Sequence, residues 1–194
     1  MAFDAAWVID FEWPAERAQS ARSADIIATC VACGGRAMRA VEGTAARIYF
    51  AADAPAGAAN VRVREALERS SLLPAARSCA LRTLVALHGA SLGAAPVFHY
   101  VVETGVAAGH EDDFNAWYDQ EHLVGLAGVP GTIFAARYER ADRRPLYGAC
   151  YDLGSLHTFG SARWMVVRTT AWSSRVRPSF RNTTRTMYRL LPTA

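Results

Sequence analysis

His122 lies in "DDFNAWYDQEHLVGLAGVPG" (112–131), with Trp117 and Tyr118 just ahead of it and Pro130-Gly131 as a stop. Residues three and four apart share a helix face. Phe114, Trp117, Tyr118, Glu121, His122 and Gly125 therefore form one stripe. The stripe is the most apolar side of the helix, so it packs toward a sheet, and His122 points into the space between. An imidazole there can take or give a proton near neutral pH, as few other side chains can. The same place also suits a buried neutral histidine hydrogen-bonded to a neighbour. Gly125 lowers the local bulk, which leaves room either for a ligand or for close packing.

Other chemistry-bearing residues fall on strands. His99 in "VFHYVVE" shares a face with Val97, Val101 and Glu103, opposite Phe98 and Tyr100. Arg137 sits among apolar neighbours. A buried arginine needs a carboxylate or a ligand to offset its desolvation, and Glu103, Glu139 or Asp152 is the expected partner. Tyr147 and Tyr151 share one face of the next strand as phenolic donors. Trp164 and Trp172 lie in a broken helical region that can cap the space as an aromatic wall. No helical HxxxH or HxxE pair offers a metal site, and nothing in the sequence marks a place for haem propionates.

The elements that must position these residues are legible in the periodicity. A strand at 5–12 precedes a helix that opens at Pro14 and runs to about Cys33. Strands at 36–42 and 46–52 follow, then a loop "APAGAAN", a helix "VRVREALERSS" and a strand at 79–89. A small-residue linker spans 90–96. The order then repeats: strand 97–104, helix 111–127, strands 132–139 and 145–152 around the polar turn "RADRR", a helical region at 155–175 and a strand at 185–191. The chain thus reads as α+β, two tandem ferredoxin-like β-α-β-β-α-β units at residues 1–92 and 93–194. A single unit leaves one sheet face bare, so two units, in one chain or between chains, are expected to cover each other in a barrel.

Composition narrows the function classes. All 21 basic residues are arginine, and the net charge of +3 is too small to imply nucleic acid. Arginines do gather in "RTTAWSSRVRPSFRNTTRTMYR", as a solvated face or to meet an acidic substrate or a partner subunit. No apolar run approaches the 18 residues of a membrane helix. The acids in "MAFDAAWVIDFEWP" do not suit an export signal, so a cytoplasmic location is expected. Cys30 and Cys33 form a CxxC, but they close a helix ahead of Gly34-Gly35, where the dipole disfavours a thiolate; reduced, packed cysteines are expected.

"DFNAWYDQEHLVGLAGVPGTIFAARYE", with "WSSRVRPSFRNTTRTMY" downstream, resembles the dimeric α+β barrel superfamily, and within it the EthD-like branch. The resemblance rests on Trp117, His122, Pro130-Gly131 and Arg137-Tyr138 and covers about the last hundred residues. That superfamily includes cofactor-free monooxygenases, polyketide cyclases, muconolactone isomerases and haem enzymes, so the resemblance leaves the reaction open. In the first half, alignment of Gly35 with Gly131 places Ile26 at His122, Arg22 at Tyr118 and Ala21 at Trp117, which reads as a degenerate, structural repeat.

Together these readings give a homodimeric, small-molecule enzyme working without metal or organic cofactor, by isomerase, lyase or cyclase chemistry. His122, Tyr118 and His99 are the catalytic candidates. Trp117, Arg137, Tyr151, Trp164 and Trp172 are the expected substrate contacts, for an aromatic or polyketide-like molecule. A cofactor-free monooxygenase of phenols and a non-catalytic ligand-binding protein are the alternatives.

Overall fold

A computed structural model describes residues 5–13, 21–51, 56–70, 76–141 and 147–191. Its contacts divide into two compact units, one of Phe3–Arg82 with Met187–Ala194 and one built on Thr83–Thr186. Pro14, the start of the 54–60 loop and most of the "RADRR" turn lie outside the described residues. No helix among the described residues is long and apolar enough to cross a membrane.

The first unit runs β1 (Ala5–Glu12), α1 (Ala21–Ala32), β2 (Gly35–Ala40), β3 (Ala45–Ala51), α2 (Ala56–Arg69) and β4 (Arg77–His88). Its strands lie in the antiparallel order β4-β1-β3-β2. Ile9, Phe11, Ile48 and Phe50 alternate inward and meet Ile26 and Cys30 of α1 and Val63 and Leu67 of α2. Arg47 is buried on β3, where Asp10 on the facing strand neutralises it and the rings of Tyr49 and Tyr188 flank it.

One sequence expectation is corrected here. Helix α2 begins at Ala56, so Ala56–Asn60 are helix and not loop; alanine's propensity outweighs the loop signal of a lone Gly57. The CxxC closes α1 through Gly34, whose φ of 71° is the left-handed stop expected there. Both thiols are free, and burial pushes that of Cys30 up to about 12, the reverse of a reactive thiolate.

The second unit runs β5 (Phe98–Val106), α3 (Glu111–Trp117), a π-helical turn (Tyr118–His122), α4 (Leu123–Ala127), β6 (Thr132–Arg140) and β7 (Tyr147–Leu153). After them come a 3-10 turn (Leu156–Thr158), α5 (Ala162–Arg168), α6 (Ala171–Val176), a second 3-10 turn (Arg177–Ser179) and β8 (Phe180–Leu190). The strand order β8-β5-β7-β6 repeats that of the first unit. Strand β8 starts five residues ahead of the expected 185, because "FRNTT" is polar and half-exposed and carries little alternating apolar signal. Within it Asn182 takes a φ of 50°, a conformation asparagine tolerates better than most residues.

Register settles which sheet face meets the helices. Tyr100 lies opposite Tyr151 and Val102 opposite Ala149, while Arg137 on β6 also faces Ala149. Directly opposed residues share a face, so Tyr100, Val102, Tyr151 and Arg137 look toward the helices. His99 lies opposite Asp152, and both look away.

Candidate functional site

A cleft opens between the helices and the sheet of the second unit, lined by Trp117, Tyr118, His122 and Leu126 from the α3–α4 helix. Tyr100, Val102 and Tyr151 line it from the sheet, Trp164 and Arg168 from α5, and Arg177, Phe180 and Arg185 from the chain that follows α6. Every one of these residues belongs to the second unit. The cleft has room for one or two waters and opens to solvent at its mouth.

The inner wall is aromatic. His122 stacks on Trp117 with ring centroids 4.1 Å apart and planes 18° apart, and meets Tyr118 edge-on at 5.4 Å. Tyr151 meets Trp164 edge-on at 5.4 Å and stacks with Tyr100 at 6.2 Å. The helix changes to π geometry over Tyr118–His122, the stretch that carries both polar wall residues. Such π turns frequently accompany functional sites.

His122 is only 7% exposed. Burial, with Arg177 and Arg168 nearby, holds its pKa down to about 3, while a hydrogen bond to the Val167 main chain acts the other way. Nδ1 has no partner, so Nε2 is the atom engaged with Val167. The imidazole is therefore neutral with Nε2–H donating, and the Nδ1 lone pair is a buried acceptor without a donor. A Cβ on Gly125 would come within 2.7 Å of Val167 Cγ1. Gly125 thus serves close packing: it lets α5 approach near enough to orient His122.

Phenol groups complete the wall. Burial pushes Tyr118 up to about 12 and Tyr151 well above its ordinary value, and the Tyr151 hydroxyl has no hydrogen-bond partner. Both are donors at neutral pH. The indole N–H of Trp164 is likewise buried and unpartnered, whereas that of Trp117 donates to Ser173 Oγ at 3.3 Å.

Of the residues singled out in the sequence, the cleft brings together His122, Tyr118, Trp117, Tyr151 and Trp164. Arg137 stands behind Tyr118, its guanidinium 4.5 Å from that ring. It donates to Asp119 Oδ1 at 2.8 Å and Asn115 Oδ1 at 2.7 Å. Its partners come from the helix, and not from Glu103, Glu139 or Asp152 as expected; it positions Tyr118 and does not line the cleft. His99 is on the opposite sheet face, its Nδ1 2.7 Å from Asp152 Oδ1. Trp172 lies outside the lining too, donating from Nε1 to Asp113 Oδ1 at 2.9 Å.

The sequence reading missed Tyr100, Phe180 and the individual arginines. Tyr100 had a signal in its alternation with His99. The arginines were visible only as a cluster, because α5, α6 and the turn after them carry no periodicity that would say which ones point inward.

No protein-family model and no curated protein sequence matches the chain. Solved structures do. A Fusobacterium nucleatum protein provisionally assigned as a monooxygenase superposes with a TM-score of 0.72 at 11% identity, over 98% of this chain and 94% of its own. An anthrone oxidase-like protein gives 0.64 at 11% identity, over 100% and 95%. A Listeria monocytogenes ferredoxin-fold protein related to antibiotic biosynthesis monooxygenases gives 0.58 at 8% identity, over 98% and 98%. The fold is accordingly α+β and ferredoxin-like.

Proposed function

We propose that the chain is a cofactor-independent enzyme that oxidises a planar phenolic small molecule with molecular oxygen in the cleft around His122. The observation that carries this is an acceptor and a donor left open in a buried aromatic cleft: His122 Nδ1 and the Tyr151 hydroxyl have no partners. The Nδ1 lone pair is suited to accept the hydrogen bond of a phenol and to take its proton, because the phenolate formed beside it stabilises the imidazolium that burial and the nearby arginines disfavour. Tyr118 and Tyr151 donate to the developing oxyanion.

The anion gives its electrons to oxygen. One oxygen atom enters the ring carbon para to the phenol and the other leaves as water, so that phenol and oxygen yield quinone and water without an external reductant. The aromatic wall of Trp117, Trp164 and Tyr151 holds the ring flat. The monooxygenase and anthrone oxidase-like assignments of the structural neighbours support the same reading.

The wider proposal keeps the first half as a degenerate copy of the second within the EthD-like branch, and the protein as a cytoplasmic homodimer acting on a small molecule. Oxygen uptake with naphthols and anthrones tests the reaction. Stoichiometric uptake with quinone formation is the expected result. Full-rate turnover under argon returns the site to acid–base chemistry, and binding with no product across the panel makes it a ligand-binding protein.

A further inference from the structure

Arg168, Arg177 and Arg185 reach the cleft mouth from three separate elements, the end of α5, the turn after α6 and strand β8. Such convergence of like charge opposes folding unless something compensates it. No carboxylate pairs with them among the described residues, and four acids of this unit are engaged elsewhere. Asp113 holds Arg175 and Trp172, Asp119 holds Arg137, Glu103 holds Arg140, and Glu121 accepts from Thr170. Arg185 hydrogen-bonds the Tyr100 phenol, a neutral partner. Burial depresses both Arg177 and His122, and the neighbouring arginines add to it.

Two further features mark the space they guard as built for a ligand. His122 Nδ1 and the Tyr151 hydroxyl are buried there without partners, which leaves one acceptor and one donor unfilled. An unfilled buried polar atom costs free energy until something meets it. The site therefore has an aromatic interior, a neutral acceptor and donor at its inner end, and a cationic rim.

We propose that Arg168, Arg177 and Arg185 form a carboxylate subsite at the cleft mouth, so that the substrate is an aromatic acid whose ring lies inward against Trp117 and Trp164. This rests on the cleft being the substrate site. Planar guanidinium groups pair with a carboxylate in two-point fashion, and their long stems let the rim swing aside to admit a ring that the ligand-free cleft is too tight to hold. The arginines then select for the acid and set its depth, so that the ring hydroxyl meets His122.

Three probes of one ring system separate the parts: 5-hydroxy-2-naphthoate, its methyl ester and 1-naphthol, each titrated by quenching of tryptophan fluorescence and by calorimetry. The acid is expected to bind roughly 10- to 100-fold more tightly than the ester. Arg177→Gln abolishes that preference and leaves the ester's affinity within about twofold. Added sodium chloride weakens the acid and spares the ester. Arg163→Gln, at an exposed position outside the lining, changes neither.

Equal binding of acid and ester overturns the subsite, as does failure of the acid to bind. A fall in assembly mass in Arg177→Gln, with acid binding intact, assigns the arginines to a subunit contact and overturns it too. Tight binding of the acid without oxygen uptake leaves the subsite standing and removes the oxygenase reading. Oxygen uptake equal for acid, ester and naphthol does the reverse.

Discussion

Ile26 in the first unit and His122 in the second stand nine residues before Gly35 and Gly131 respectively. Burial keeps the same phase along both helices: Ile26 and His122 are buried, Ala28 and Val124 are exposed, and Cys30 and Leu126 are buried. What occupies the buried phase differs. Ile26 packs into an apolar cluster with Cys30, Val63 and Leu67. His122 is set on an indole, tied by one nitrogen to Val167 and left open at the other. The buried arginines teach the same lesson. Arg47 is neutralised by Asp10 and Arg137 by Asp119, whereas Arg168, Arg177 and Arg185 line the cleft with no acid paired to them among the described residues. One scaffold thus accepts either a sealed core or a lined cleft at this position, and polarity left unsatisfied is what tells them apart.

Exchange of the two residues tests that difference. His122→Ile is expected to lower oxygen-dependent turnover about 10²–10⁴-fold while the far-ultraviolet circular dichroism is unchanged, since the first unit folds with isoleucine at the matching phase. Retained turnover in this variant would falsify the catalytic role. The reverse change, Ile26→His, buries an unpaired imidazole in a dry core and is expected to cost about 2–4 kcal/mol, read as the shift in a denaturant midpoint, with activity unaffected.

Protonation gives an effect of similar size. The folded pKa of His122, about 3, lies below the ordinary value of 6.5. Between those values the unfolded chain binds a proton that the native chain does not, so stability falls as pH drops from about 6.5 toward 3. The slope approaches about 1.4 kcal/mol per pH unit in the middle of that window. Urea titrations from pH 7 to 4 should show this contribution, and subtraction of the same series for His122→Ile should isolate it. A difference that stays flat over the window would show that His122 titrates normally.

The smallest effect concerns the spacing of α5. Gly125→Ala brings a methyl group against Val167 and is expected to destabilise by about 1–3 kcal/mol. It should also lower turnover beyond what the lost stability explains, because the His122 to Val167 hydrogen bond shifts with the helix. A loss of stability alone would restrict Gly125 to packing.

The order and kind of the elements were legible because strands and helices here follow clean periods, and the stripe from Phe114 to Gly125 is buried as its spacing indicated. Trp117 and Tyr118 reached the cleft for the same reason. His99 did not, because alternation along one strand gives two faces without saying which is covered; only the pairing of Tyr100 with Tyr151 decides it. Arg137 found its acid on a helix eighteen residues back, a contact no local pattern encodes. The depressed pKa of His122 was equally hidden, since it depends first on burial and then on arginines fifty-five and forty-six positions downstream.

The π turn at Tyr118–His122 carries a consequence for how such a site is gained or lost. A π turn holds one residue more than the α turn it replaces, and each helical residue advances the side chains by roughly 100°. In an unbroken α-helix Trp117 and His122, five residues apart, would diverge by roughly 140°; the wider turn brings them back onto one face, where they stack. A helix of this kind can therefore take up or lose one residue by an insertion or deletion of one codon while its flanks keep their faces, a change that substitution-based comparison of sequences does not register.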